Sequence, residues 1–357
     1  MANILDYLTW RGDLLFSQVG FDDVDGLILS ELAYINFDSL VCENTECMVP
    51  LRNLAKTLLA LPTPAARCRI DKDLELLTAV AESDRFGRIG VTFYRNIFIP
   101  EEETQFAAVT FLLEDGTAFL AFRGTDSSLV GWKEDFNMSF QKNIPAQRLA
   151  QAYVQQYATM SREPLRLGGH SKGGNLAVYA GAMCGESIQS RILEIYNYDG
   201  PGFMEEMLAE PGYQAIVSKI KTIVPQFSVF GMLLERSEAH RAIYSDATGL
   251  LQHEPYSWQV LGKGFVPMED VTENAYFLDR TLTTWLAGMS NQERSDFIEW
   301  IFGLFMQENA SQAKDILRPQ NLLAALRMIR TEHEKRRMTG VILQELLESA
   351  KTARQNP

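Results

Sequence analysis

The sequence predicts an α/β fold, a largely parallel sheet flanked by helices. Three observations carry that prediction. Strand-like and helix-like segments alternate through the middle of the chain. The pair Asp115-Gly116 separates two apolar runs, which marks a hairpin. The pentapeptide Gly169-His170-Ser171-Lys172-Gly173 has the form G-x-S-x-G and sits between an apolar stretch and a helix-like run.

Taken in order, residues 1–80 read as mostly helical. Apolar residues recur at helix spacing over 24–37 (Leu27, Ile28, Leu32, Ile35), over 51–61 and over 70–80. Pro62 and Pro64 punctuate this part. Near Gly87 the pattern changes. Residues 89–99, 106–113 and 117–122 are rich in β-branched and aromatic side chains, as strands are. A helix is expected over 146–160, a buried strand from 165 and a helix over 175–183. A strand over 192–198, a helix over 203–208 and strands over 220–224 and 241–245 complete the alternation. Beyond Trp258 the reading is helical again, over 274–286, 292–306, 322–329 and 341–350. Ser290 and Glu293 form a capping box for the second of these. The expected organisation is an N-terminal helical segment (1–85), a central α/β core (86–257) and a C-terminal helical region (258–357).

The chain has 357 residues and a net charge of −13, with 46% hydrophobic and 22% charged residues. That acidity argues against nucleic acid as a partner and against docking on anionic membranes. No apolar run is long enough to span a bilayer, and no secretory leader is seen at the N-terminus. Four cysteines in a chain this long fit free thiols in a reducing cytoplasm. Cys42 and Cys47 lack a second ligand pair, so no zinc site is expected there.

The serine pentapeptide has a mechanical reading. A strand, a sharp turn and a helix would lift the Ser171 hydroxyl to where a base reaches it. Glycines two positions before and after leave room for close approach. The Lys172 N–H, at the helix start, would face a developing oxyanion. A dinucleotide fingerprint is excluded because His170 stands where glycine is needed. A phosphate loop is excluded because Gly174 and Asn175, not lysine, follow Gly173.

Upstream lie Phe122-Arg123-Gly124-Thr125, then Trp132 and Asp135. Together with Gly169-His170-Ser171-Lys172-Gly173-Gly174, in this order, they resemble the class 3 lipases, a branch of the α/β-hydrolases. The resemblance covers roughly residues 88–255. The segments Asp6-Tyr7-Leu8-Thr9-Trp10 and Gln252 to Trp258 resemble a bacterial family of lipase-related proteins of unassigned role. The resemblance implies an α/β-hydrolase fold with helical additions at both ends. It also implies an oxyanion hole in which Thr125, through its N–H and hydroxyl, joins the Lys172 N–H. Each such donor stabilises a transition state by about 3 kcal/mol.

A serine nucleophile needs a base, and the chain has four histidines. His170 adjoins Ser171 and is expected on the other side of its strand, in a structural role. His240 sits in a charged run, and His333 in a polar helix. His253 follows the last expected strand, where the Ser–acid–His order of α/β-hydrolases puts the base. For the acid, class 3 lipases carry Asp one residue before an Ile/Val-Val-Pro triplet, but Thr222 stands there in this chain. Asp199, ending the strand after the elbow helix, is the substitute. Asp246 and Glu254 remain alternatives.

The expected function is a serine hydrolase acting through an acyl-enzyme on Ser171, with no metal or organic cofactor. Its substrate would be a carboxylic ester, lipids and acylglycerols included. Alternatives are a thioesterase or peptidase using the same triad, or a non-catalytic binding or scaffold protein on the hydrolase fold. Homo-oligomerisation stays open. The apolar run from Phe297 to Met306 reads as a core-facing helix or a lipid-facing lid. Lys172, where lipases usually have Leu, would meet an anionic substrate group or reach solvent. The basic cluster Arg327, Arg330, Lys335, Arg336 and Arg337 reads as a solvated face.

Overall fold

The computed structural model describes residues 2–126, 128–306 and 348. The helices expected over 322–329 and 341–350, His333 and the basic cluster lie outside the described residues, Glu348 excepted. Eight strands form one sheet: β1 (Val49–Pro50), β2 (Gly90–Ile99), β3 (Thr104–Leu112), β4 (Ala118–Phe122), β5 (Leu165–His170), β6 (Ile192–Tyr198), β7 (Ile220–Pro225) and β8 (His240–Ile243). Their order in the sheet is their order in the chain. The β3–β4 pair is antiparallel, and Gly116 turns between them with φ +79°. An ordinary side chain is strained at that φ, so the Asp-Gly signal has a direct cause. From β4 to β8 every pairing is parallel. With helices between the strands, this is an α/β-hydrolase fold.

The chain divides into two compact units. Among the described residues, the first holds 2–98, 106–124 and 146–271, and the second holds 99–105, 125–126, 128–145 and 272–306. In the first, helices Ile4–Arg11 and Asp23–Leu32 start at capping boxes on Asn3/Asp6 and Asp22/Asp25. The helix Asp23–Leu32 presents Leu27 and Ile28 to one sheet face, in a core shared with Phe119, Tyr196 and Tyr198. Each large apolar side chain buried this way contributes roughly 1.5–3 kcal/mol. The opposite sheet face carries Phe122, whose ring meets Tyr153 of the helix Pro145–Met160 edge-on. This two-sided burial explains why β4 (Ala118–Phe122) is continuously apolar.

In the second unit, Leu129–Asn137, Glu273–Ala287 and Asn291–Met306 are helices. Lys133 bridges Glu103 (2.7 Å) and Glu299 (2.6 Å). Trp285 meets Phe297 edge-on, and Ile298 is buried. Ser290 and Glu293 make the expected reciprocal cap.

Several expectations need correction. Cys42 and Cys47 are joined as a disulfide, their Cα atoms 5.8 Å apart; only Cys68 and Cys184 are free thiols. Residues just beyond Trp258 are not helical. Val260–Leu261 and Gly264–Phe265 form a small antiparallel ribbon about Gly262 (φ +63°). The helix Leu129–Asn137 has no strong apolar period and was not expected. It starts at a Ser128 cap.

Candidate active site

Ser171 directly follows β5 and has φ 57° and ψ −133°, a region that L-residues rarely adopt. The helix Lys172–Met183 begins at the next residue. The kink survives because its surroundings are close-packed. A Cβ on Gly173 would lie 2.1 Å from the Phe122 carbonyl oxygen, and one on Gly169 would lie 2.3 Å from the Gly173 backbone. Neither position accepts a side chain without moving main chain. The Ser171 N–H donates to the Tyr198 carbonyl (2.8 Å), and its own carbonyl accepts from Gly174 (2.9 Å). The sequence predicted this elbow for these reasons.

Asp199 directly follows β6. His170 and Tyr198 are register partners, so Ser171 and Asp199 leave adjacent strands at one level. Asp199 is fully buried with φ 53°. Its turn is held by Asn197, whose Oδ1 accepts from the Gly200 N–H (2.9 Å). Asn175, on the elbow helix, donates to the Gly202 (2.8 Å) and Pro201 (3.2 Å) carbonyls just beyond. One Asp199 oxygen accepts from the Ser228 hydroxyl. The other lies 2.6 Å from His253 Nδ1. A carboxylate can only accept there, so Nδ1 carries the proton and Nε2 is left as the basic nitrogen.

His253 ends the 3₁₀ turn Gly249–His253, beyond β8, and is partly exposed. Its ring lies between two others, Phe230 at 4.4 Å and His170 at 4.6 Å between centroids. His170 is buried, with the Tyr34 hydroxyl and the Glu31 carboxyl beside its ring. That ring also borders the His253 loop, which the sequence did not reveal. His170 Nε2 is 2.9 Å from the His253 carbonyl, and its Nδ1 is 3.1 Å from the Tyr34 hydroxyl. Burial, together with His253 and Arg69 nearby, holds the His170 pKa well below the usual imidazole range.

The alternative acids lie elsewhere. Glu254 makes a two-pronged bond to Arg69 (2.9 and 3.0 Å). Asp246 is exposed. Thr222 is buried within β7 in register with Asn197, two residues short of the Asp199 level, and bonds Glu238 (2.8 Å). Lys172 is buried, which removes the expectation that it reaches solvent. Thr125, expected in the oxyanion hole, belongs to the second unit, where its hydroxyl donates to Asp135.

Sequence reasoning missed Ser228, Phe230, Tyr34 and Arg69. None lies within a recognisable spacing of the elbow. Phe230 stacks on the His253 ring, Ser228 bonds Asp199, Tyr34 meets His170 and Arg69 grips Glu254, contacts that only the folded chain makes.

Among the described residues, no group of three or more His, Cys, Asp or Glu is arranged to hold a metal, and no helix is long and apolar enough to cross a membrane.

A search of curated proteins returns no match. Among solved structures, the crystal structure of M37 lipase is similar at 15% identity. The alignment covers 58% of this chain and 68% of that one, with a TM-score of 0.39. A family model described as Mbeg1-like matches residues 80–303. That match takes in the parallel strands, the Ser171 elbow and the His253 turn, and by it the chain belongs to the Mbeg1-like family.

Proposed function

We propose that this chain is a serine hydrolase of lipase type that cleaves carboxylic esters. The observation that carries the reading is the 2.6 Å contact between His253 Nδ1 and the buried Asp199. It lies at the sheet edge where Ser171 is held in its kink. Asp199 fixes the imidazole tautomer and stabilises the imidazolium that forms during reaction. His253 Nε2 takes the Ser171 proton as Oγ attacks the ester carbonyl. The resulting oxyanion is met by the N–H of Lys172 at the start of the elbow helix. Collapse expels the alcohol, which receives the proton from His253. Water, deprotonated by the same imidazole, then releases the acid and restores Ser171.

Substitution of the usual acid position by Thr222 does not weaken this reading, because Asp199 supplies the carboxylate. Leu250 and Leu251 are exposed in the turn that carries His253, which favours substrates with apolar acyl groups. Esters of lipids or acylglycerols are therefore the proposed class.

A fluorophosphonate probe tests the proposal. Labelling of the native chain, absent in Ser171→Ala and strongly slowed in His253→Ala, is the expected result. A folded native chain that stays unlabelled would favour a binding or scaffold protein. A panel of p-nitrophenyl esters then fixes acyl length, and turnover confined to acetyl esters would remove the lipid assignment.

A further inference from the structure

Resting on that reading, we infer that His170 and Tyr34 are positioning residues for His253, fixing the base from the face covered by the N-terminal helices. His253 belongs to no α-helix or strand, so no ladder of main-chain bonds fixes its ring. Instead, three successive residues are tied individually. The Gln252 carbonyl accepts from Trp258 Nε1 (2.7 Å), and its side-chain oxygen accepts from the Phe227 N–H (2.9 Å). Glu254 is gripped at both oxygens by Arg69. Between them, the His253 carbonyl is held by His170 Nε2 at 2.9 Å.

The proton inventory of this contact is determined. A carbonyl has no proton to give, so His170 Nε2 carries one. Burial keeps the ring neutral, so Nδ1 presents a lone pair. The Tyr34 hydroxyl, 3.1 Å from that nitrogen and 3.4 Å from the His170 carbonyl, directs its one proton onto His170. Tyr34 is itself fixed, with the Arg69 guanidinium over its ring at 4.5 Å. The buried Glu31 carboxyl lies 3.4 Å from the same Nδ1. The line Tyr34–His170–His253 thus runs from the end of an N-terminal helix to the backbone of the base. The His170 ring also packs on the His253 ring at 4.6 Å, so it restrains both the position and the tilt of the imidazole.

The experiment pairs His170→Phe, which keeps a planar ring without the donor, with His170→Gln, whose amide N–H reaches the same carbonyl. The first readout is the downfield NMR signal of the His253 Nδ1 proton shared with Asp199, assigned by its loss in Asp199→Asn. The second is kcat and KM for a p-nitrophenyl ester. His170→Phe is expected to broaden or abolish the signal and to lower kcat roughly 10- to 100-fold with KM unchanged. His170→Gln is expected to restore most of both. A folded His170→Phe protein with an unchanged signal and unchanged kcat overturns the proposal. If His170→Phe fails to fold, Tyr34→Phe is the variant to read: a broadened signal supports the proposal and an unaltered one overturns it. A native chain without esterase activity whose signal still depends on His170 would sink the hydrolase reading and leave the grip on His253 intact.

Discussion

Ser171 and Asp199 stand one residue past a register pair on neighbouring parallel strands, and both backbones turn through positive φ, 57° and 53°. Each such kink costs about 1–3 kcal/mol, and each lifts a side chain off the strand direction into the space beyond the sheet edge.

The first prediction follows from that cost. Ser171→Gly relieves the strained φ, while Ser171→Ala keeps it. Calorimetry should find the glycine variant more stable than the alanine variant by about 1 kcal/mol, after the unfolded-state entropy of glycine is allowed for. Both should be inactive. Equal melting temperatures for the two would mean that the elbow holds no strain.

Asp199→Asn preserves shape and removes the charge that selects the Nδ1–H tautomer of His253. With Ser228 still able to bond the side-chain oxygen, the fold should persist. Ester hydrolysis should fall about 10⁴-fold in kcat. A loss below about tenfold in steady-state assays would remove Asp199 from its proposed role, since orientation of the base would then not depend on it.

A third prediction concerns pH and lies far from the site. Burial, then the neighbouring Asp25, pushes the Asp22 carboxyl up to about 7 from its ordinary 3.8. The folded chain therefore binds this proton more tightly than the unfolded chain does. Its contribution to stability is complete below the unfolded value, near 3.8, and is lost as pH rises to about 7. Asp22→Asn keeps a competent helix cap and cannot ionise. Its denaturation midpoint should fall less than that of the native chain between pH 4 and pH 7. Parallel profiles for the two proteins would show that Asp22 titrates normally.

The sequence made the core of this architecture readable because each strong signal had a local cause. Gly116 marks its hairpin through backbone conformation, and Gly169 and Gly173 mark the elbow through close approach. His253 was singled out by elimination among four histidines, aided by chain order, and the structure puts its Nδ1 2.6 Å from Asp199. Asp199 was legible as the carboxylate that ends the strand after the elbow helix, with Asp246 and Glu254 as alternatives; the structure adds that Arg69 occupies Glu254. The supporting residues were illegible for a different reason. Tyr34 and His170 are far apart in the chain, and a buried tyrosine just past a helix end looks like any other core tyrosine. The Cys42–Cys47 bridge was missed because low cysteine content says nothing about two thiols brought together by a short loop.

The matching of strand order to chain order has a consequence for biosynthesis. Since the sheet grows from one edge to the other as the polypeptide lengthens, the hydroxyl-bearing turn leaves the ribosome well before the turn that carries its imidazole. If His253 is the base proposed above, a nascent chain stalled between β7 and His253 would hold a serine without it. On the proposed reading, the serine would meet its base only once the turn beyond β8 has been made.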